Sequence, residues 1–536
     1  MTEAEQDRQF FEDVTRRRLM KQFAAVGAAT AGAGVLAACA GDDEDSGGTD
    51  TVGTGVAKGG KRGGTLRAGL IGGSTADTLD PLRGVTTTDF ARNIQLYDQL
   101  SILDPDGSIG MKLAEEMTAN SDATEWTIRL KPDITFHDGK PLTADDVIYT
   151  FKQILNPKNP TNSTAQMAPF DPKRLRKVDK LTVKLGCKQP FSTFVDTASS
   201  LSTMGIIPVG FDPKNPVGTG PFKFQSFTPG RQSVFVRNPD YWQEGVPYLD
   251  KLVIANYKDE TSQINALRAE QVDVIDQLSA TSVATLPDSQ TVISQSGGFN
   301  PFTMRMDVAP FDDVNVRQAL RFLVDREQMN QQVFSGHALI GNDLWSPFDP
   351  GYDKSLPKRE QDIEQAKSLL KQAGRSDLSI ELITSDIAQG VVKSAEVFVQ
   401  QAKAAGVQVR LRKVTVAEFF GPNFKKWPFA QDYWFYLRYF CQVASAMIPD
   451  APFGETHFED AEYMRLYNEA LRTIDEDKRN EISKEMQRID YERGTYIIPM
   501  FAPIIDGHAP QVKGIHTSRT GQSLGNYDFK NMWLET

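Results

Sequence analysis

The residues that could do chemistry in this chain are few, and most are spaced wrongly for it. His137, His337, His457, His508 and His516 show no metal-ligand spacing. Three cysteines, Cys39, Cys187 and Cys441, exclude a four-cysteine zinc site and a disulfide scaffold. No GxSxG elbow or HExxH helix is present, so the common hydrolase signatures are missing. Asp145 and Asp146 are adjacent, but neighbouring carboxylates on a helix do not converge on one atom. With Thr143 they predict an acidic capping box that opens a helix over 147–155. Gly55 to Arg62 has the GxxxxGK spacing of a phosphate loop but lacks the Ser/Thr that holds magnesium, and no apolar strand precedes it. The densest cluster of large side chains is 427–440, with eight aromatics in fourteen residues, ending at Arg438, Tyr439 and Phe440 and followed by Cys441. As a strand, this run would send Trp434, Tyr436 and Arg438 to one side by alternation. Its aromatics suit either a core or a ligand surface.

The N-terminus reads as an address. Arg16-Arg17 precede a short Ala/Gly-rich apolar stretch, and Leu36-Ala37-Ala38-Cys39 closes it. The paired arginines resemble a twin-arginine export signal, and the last four residues resemble a lipobox. The expectation is a signal peptide over 1–38, cleavage before Cys39, and acylation of its sulfur. A polar tether follows over 39–62. The protein is therefore expected to be exported and anchored by its lipid to the outer face of the cytoplasmic membrane, or periplasmic. Nucleotides are scarce there, and no cofactor is expected.

The body must position whatever site exists. A chain of 536 residues suggests three or four domains or one multi-lobed fold. Its 40% apolar content excludes a disordered chain, and a net charge of −11 argues against a nucleic-acid partner. Alternating strands are predicted at 65–70, 125–130, 181–185, 222–224, 233–237 and 252–256. Helical periodicity appears at 262–269, 316–324, 363–372 and 391–404 and twice between 464 and 489. Strands and helices come in clusters, so the fold class is α/β or α+β with several lobes.

These blocks occur in a recognisable order. Tyr97-Asp98-Gln99-Leu100 is followed by Trp126–Leu130 and Phe136-His137-Asp138-Gly139-Lys140-Pro141-Leu142. Then come Gly218-Thr219-Gly220-Pro221-Phe222, Asn238-Pro239-Asp240-Tyr241-Trp242, Ala266 to Asp273 and Pro310 to Leu320. Over about 63–530 the chain resembles the extracellular solute-binding proteins of ABC importers, family 5, the oligopeptide, dipeptide and nickel type. The resemblance implies an α/β, periplasmic-binding-protein-like two-lobed clamshell of class II type with an additional domain II. Domain I would comprise 63–83, 211–297 and 502–536, domain II 84–210, and domain III 298–501. The hinge would lie near 297–302 and 496–501. Such a protein binds a solute between its lobes as a monomer, passes it to ABC permease subunits, and catalyses nothing. The implied solute is a peptide or peptide-like molecule. A non-peptide anionic or sugar-like solute is the alternative, and an exported hydrolase or a non-transport sensor is the alternative of another class.

The site residues are carried over from the resemblance. In the family, the strand matching the aromatic run ends in a pattern like GWxADY, whose acid pairs with a peptide's α-amino group. Counting from Asp432 as the strand start puts Arg438 at the tryptophan position and Cys441 at the acidic one. That register removes the amine anchor and offers Arg438 to a carboxylate. The other candidate ligand contacts are Ala76, Asp77, Thr78, Phe299, Asn300, Trp345, Gln389, Trp434, Tyr436 and Phe440. No metal ligand is expected. The resemblance sets Cys187 and Cys441 in different lobes, which favours two buried thiols over a disulfide.

Overall fold

The computed structural model describes residues 59–287 and 290–535. The expected signal peptide, Cys39 and all but the last four residues of the expected tether lie outside the described residues. No helix among the described residues is long and apolar enough to cross a membrane.

Three sheets organise the chain. The first has seven strands, in the order Thr291–Ser294, Ile504–His508, Val274–Ile275, Thr65–Ile71, Lys251–Tyr257, Gln232–Arg237, Phe222–Thr228. Thr65–Ile71 lies in its middle because Leu66, Ala68 and Leu70 are fully buried, and it runs parallel to both neighbours. Gly69 allows close packing there: a Cβ at that position would meet the Tyr257 ring at 3.0 Å.

The second sheet has four antiparallel strands, Ala114–Ala119, Glu125–Leu130, Thr182–Cys187 and Phe170–Lys177. It is backed by Phe151, Phe170 and Phe194, whose rings pack edge to face. The helix predicted after Thr143 spans Ala144–Ile154, and the Asp146 carboxylate accepts from both the amide and the hydroxyl of Thr143 at 2.9 Å. Asp145 pairs with Lys177 at the surface. Both aspartates are structural.

The third sheet has five strands, Gln408–Lys413, Ser379–Thr384, Phe429–Gln431, Phe302–Met304 and Tyr496–Ile497. Phe302, Phe398 and Phe429 centre a core separate from that of the first two sheets. The chain passes between the first and third sheets twice, over 295–301 and 498–503. The two passages are bonded to each other: the Ala502 amide donates to the Gly298 carbonyl at 2.8 Å, and the Ser296 hydroxyl donates to the Ala502 carbonyl at 2.7 Å.

The aromatic run departs from its expected form. Only Phe429–Gln431 is a strand, and the helix Tyr439–Ala446 begins where the run ends. Between them the chain forms no strand, only a single bridge from Trp434 to Phe299. Without a continuous ladder there is no pleat to enforce alternation. Tyr433, Trp434, Phe435, Tyr436 and Leu437 accordingly all reach one cavity.

Candidate functional site

That cavity, of about 590 Å³, is lined by residues outside the strands of these three sheets, mainly in helices and connecting segments. One wall is Asp432 to Leu437, together with Phe420, Phe424 and Phe453. The opposite wall includes Phe90 and Gln95 of the helix Thr87–Leu96, with Asp98, Ser202 and Gln522. Thr86 caps that helix by accepting from the Asp89 amide. Phe90 and Phe435 meet edge to face across the cavity, with centroids 6.4 Å apart.

Asp432 is the first residue after the strand Phe429–Gln431, and its amide is fixed by the Pro301 carbonyl at 3.2 Å. Its side chain lines the cavity but is only 5% exposed. One carboxylate oxygen accepts from the Tyr433 amide at 2.8 Å. No lysine or arginine among the described residues forms an ion pair with it. Burial pushes its pKa up to about 7. Glu455 is also buried and raised, first by burial and then by the charge of Asp432; it accepts from the Tyr496 hydroxyl at 2.9 Å. The cations on the cavity wall are already committed: Lys112 pairs with Asp104 at 2.8 Å and Lys530 with Asp528 at 2.5 Å. The cavity therefore offers an unneutralised buried carboxylate beside aromatic walls. That chemistry suits an ammonium group attached to an apolar body.

Two of the twelve expected ligand contacts, Trp434 and Tyr436, line this cavity. The structure corrects the expectation for Arg438. Its guanidinium is 6% exposed and lies 3.1 Å from Asp196 and 3.2 Å from Asp349, so it serves as a structural cation between two buried carboxylates. Cys441 and Phe440 are buried within the helix Tyr439–Ala446, away from the cavity wall. Trp345 is buried against Tyr439 and Tyr496. Asp77 is fully paired with Arg92 at 3.0 Å and also accepts from Asn256, while Ala76 and Thr78 flank it in the same turn. Phe299 bridges Trp434 to Phe501 from behind the wall. Asn300 donates to the Gln389 carbonyl at 2.7 Å, and Gln389 donates to the Gln277 carbonyl at 2.9 Å. This chain of bonds links the third sheet's helix entry to the first sheet without facing the cavity. Cys187 and Cys441 are free and buried, as expected.

Asp432 was in view in the sequence, but the assumed register hid it. The strand begins three residues earlier than that register supposed and stops at Gln431, so the acid that directly follows it is the one that reaches the cavity. The opposite-wall residues Phe90, Asp98 and Gln522 come from distant segments, and no local pattern marks them.

The profile of Bacterial extracellular solute-binding proteins, family 5 Middle, matches residues 108–439. The chain is 26% identical over 493 residues to the glutathione-binding protein GsiB of Salmonella typhimurium, covering 85% of this chain and 93% of that one. It is 24% identical over 499 residues to the dipeptide-binding protein of Escherichia coli K12, covering 84% and 91%. Its fold matches that of the periplasmic binding protein DppA from Helicobacter pylori in complex with peptide STSA, with a TM-score of 0.74 at 19% identity, covering 89% and 99%. The two-lobed α/β clamshell is thus the fold of this chain. The chain belongs to the bacterial extracellular solute-binding proteins, family 5.

Proposed function

We propose that this protein is the receptor of an ABC importer for short peptides bearing a free amino terminus. The observation that carries this reading is Asp432, a buried carboxylate on the cavity wall with no cation of its own. A peptide ammonium would supply the missing charge in a charge-assisted hydrogen bond. The names of the relatives agree: one is called glutathione-binding, another dipeptide-binding. The paired state of Arg438, Lys112 and Lys530 weighs against the anionic solute that the sequence alone suggested.

The receptor acts by shifting populations. The peptide touches Phe90 on one wall and Asp432 on the other, so it binds the closed state more tightly than the open one. In this reading the passages 295–301 and 498–503, which overlap the expected hinge segments 297–302 and 496–501, serve as the hinge. Closure presents a surface to the permease. The protein works as a monomer, binds without catalysing, and is held at the membrane by lipid on Cys39. The test is native mass spectrometry of the purified protein with a mixture of di- and tripeptides, paired with peptide uptake by a strain lacking the gene. Peptide adducts and lost uptake support the reading; a non-peptide adduct with unchanged peptide uptake overturns it.

A further inference from the structure

The wall around Asp432 has a second feature. Phe90, Phe420, Phe424, Tyr433 and Phe435 all line the cavity, and each rests on a neighbour in the set. Phe420 lies 5.3 Å from Phe424 and 6.5 Å from Tyr433; Tyr433 lies 5.9 Å from Phe435; Phe435 lies 6.4 Å from Phe90. Apart from the 58° tilt of Phe420 on Phe424, these contacts are edge to face, so ring faces remain available to a guest. Phe90, Tyr433 and Phe435 are only half-buried, whereas Phe420 and Phe424 behind them are buried. Tyr433 follows Asp432 directly in the chain, and its amide donates to the Asp432 carboxylate. The aromatic box therefore begins one residue from the ammonium anchor.

We propose that this box reads the side chain of the peptide's first residue and selects a large apolar or aromatic one. This rests on the peptide reading above. An ammonium held at Asp432 puts the first side chain within a residue's length of the anchor, and the surface there is aromatic. A polar or charged first side chain would lose water in the box and find at most the Tyr433 hydroxyl as a partner. A phenylalanine or leucine would remove apolar surface from water on both sides. Phe90 comes from one wall and Phe435 from the other, so a large first residue also bridges the closing faces. A small residue such as glycine leaves that contact unmade, and closure is favoured less.

The test is isothermal titration of the full-length protein with two dipeptides of identical composition and reversed order, Phe-Ala and Ala-Phe. The expected result is that Phe-Ala binds about tenfold or more tightly than Ala-Phe, a difference in keeping with burying one large apolar side chain. Phe435→Ala should bring the ratio of the two affinities below about threefold. Phe90→Leu, a milder change on the other wall, should reduce the ratio without abolishing it. Thermal unfolding of each variant establishes that it is folded. Equal affinities in the unaltered protein, or a preference for Ala-Phe, overturn the box while leaving the peptide reading intact. A ratio unmoved by Phe435→Ala in folded protein also overturns it. Failure of both peptides to bind overturns the peptide reading and the box together.

Discussion

The Arg438 Nε atom lies 3.1 Å from an oxygen of Asp196, joining the entry of the helix Tyr439–Ala446 to the helix Phe194–Ser200 beside the four-stranded sheet. Asp349 approaches the same nitrogen at 3.2 Å, and Arg479 lies 3.6 Å from the other Asp196 oxygen. Burial raises the pKa of Asp196 and the two arginines oppose the rise. Nearby, the Ser192 amide and hydroxyl donate to the carbonyls of Leu471 and Ala470. Removing Arg438 would leave buried Asp349 without its cation and Asp196 with only the more distant Arg479. Arg438→Ala should therefore destabilise the fold by about 3–5 kcal/mol, measured by urea unfolding. An unchanged midpoint would show that the cluster is hydrated and weak.

Arg438 is occupied, and the lysines of the cavity wall are paired. A peptide's carboxylate consequently finds no free cation among the described residues of the wall. Amidation of the C-terminus should cost less than about tenfold in affinity, compared by competition against the free acid. A loss of a hundredfold would mean that one of those ion pairs opens to receive the ligand.

Asp432 gives binding a pH dependence. Its folded pKa, pushed up to about 7 by burial, exceeds the usual carboxylate value near 3.8. Between those values the folded state holds a proton that the unfolded state has lost. The stability contribution of this group is therefore greatest below about pH 4 and declines as pH rises towards 7. An ammonium ligand favours the ionised form and lowers the pKa. Binding near pH 6 should release a proton, detected as a buffer-dependent enthalpy in calorimetry. Proton uptake, or no buffer dependence, would contradict ammonium pairing at Asp432.

Gly297 stands at the first passage between lobes. A Cβ there would lie 2.5 Å from the Tyr436 ring, closer than side chains approach one another. Gly297→Ala should displace Tyr436 from the cavity wall, destabilise by about 1–3 kcal/mol, and weaken peptide binding. Unfolding and titration of the variant measure both effects.

The thiols of Cys187 and Cys441 are pushed up to about 12 by burial. Neither should react with a thiol reagent at pH 8 until the protein is unfolded, after which both should. Rapid labelling of Cys441 in the native protein would show that the helix Tyr439–Ala446 opens readily, and of Cys187 that the strand Thr182–Cys187 does.

Much of the fold was legible because the pattern was local. Glu125–Leu130 alternates, Ile363–Gln372 has helical spacing, and Thr143 with Asp146 marks a helix start; all three are present where the sequence puts them. The site was less legible because its walls are assembled from distant segments. Phe90 and Phe435 are 345 residues apart in sequence, yet their rings touch. The aromatic run misled because aromatic residues suit strands, ligand walls and cores alike. Only the missing ladder beyond Gln431 decided which residues faced the cavity. Arg438 misled for a related reason: a lone arginine in a sequence has no visible partners, and here Asp196 and Asp349 come from elsewhere.

The central claim is that Asp432 anchors the free amino terminus of a peptide. Titrating the full-length protein with a dipeptide and with its N-acetyl counterpart tests that most directly. Acetylation should weaken binding by about 30-fold or more, the effect of leaving a buried charge unpaired, and Asp432→Asn should largely abolish the difference. Equal affinity for the free and acetylated peptides would contradict that claim.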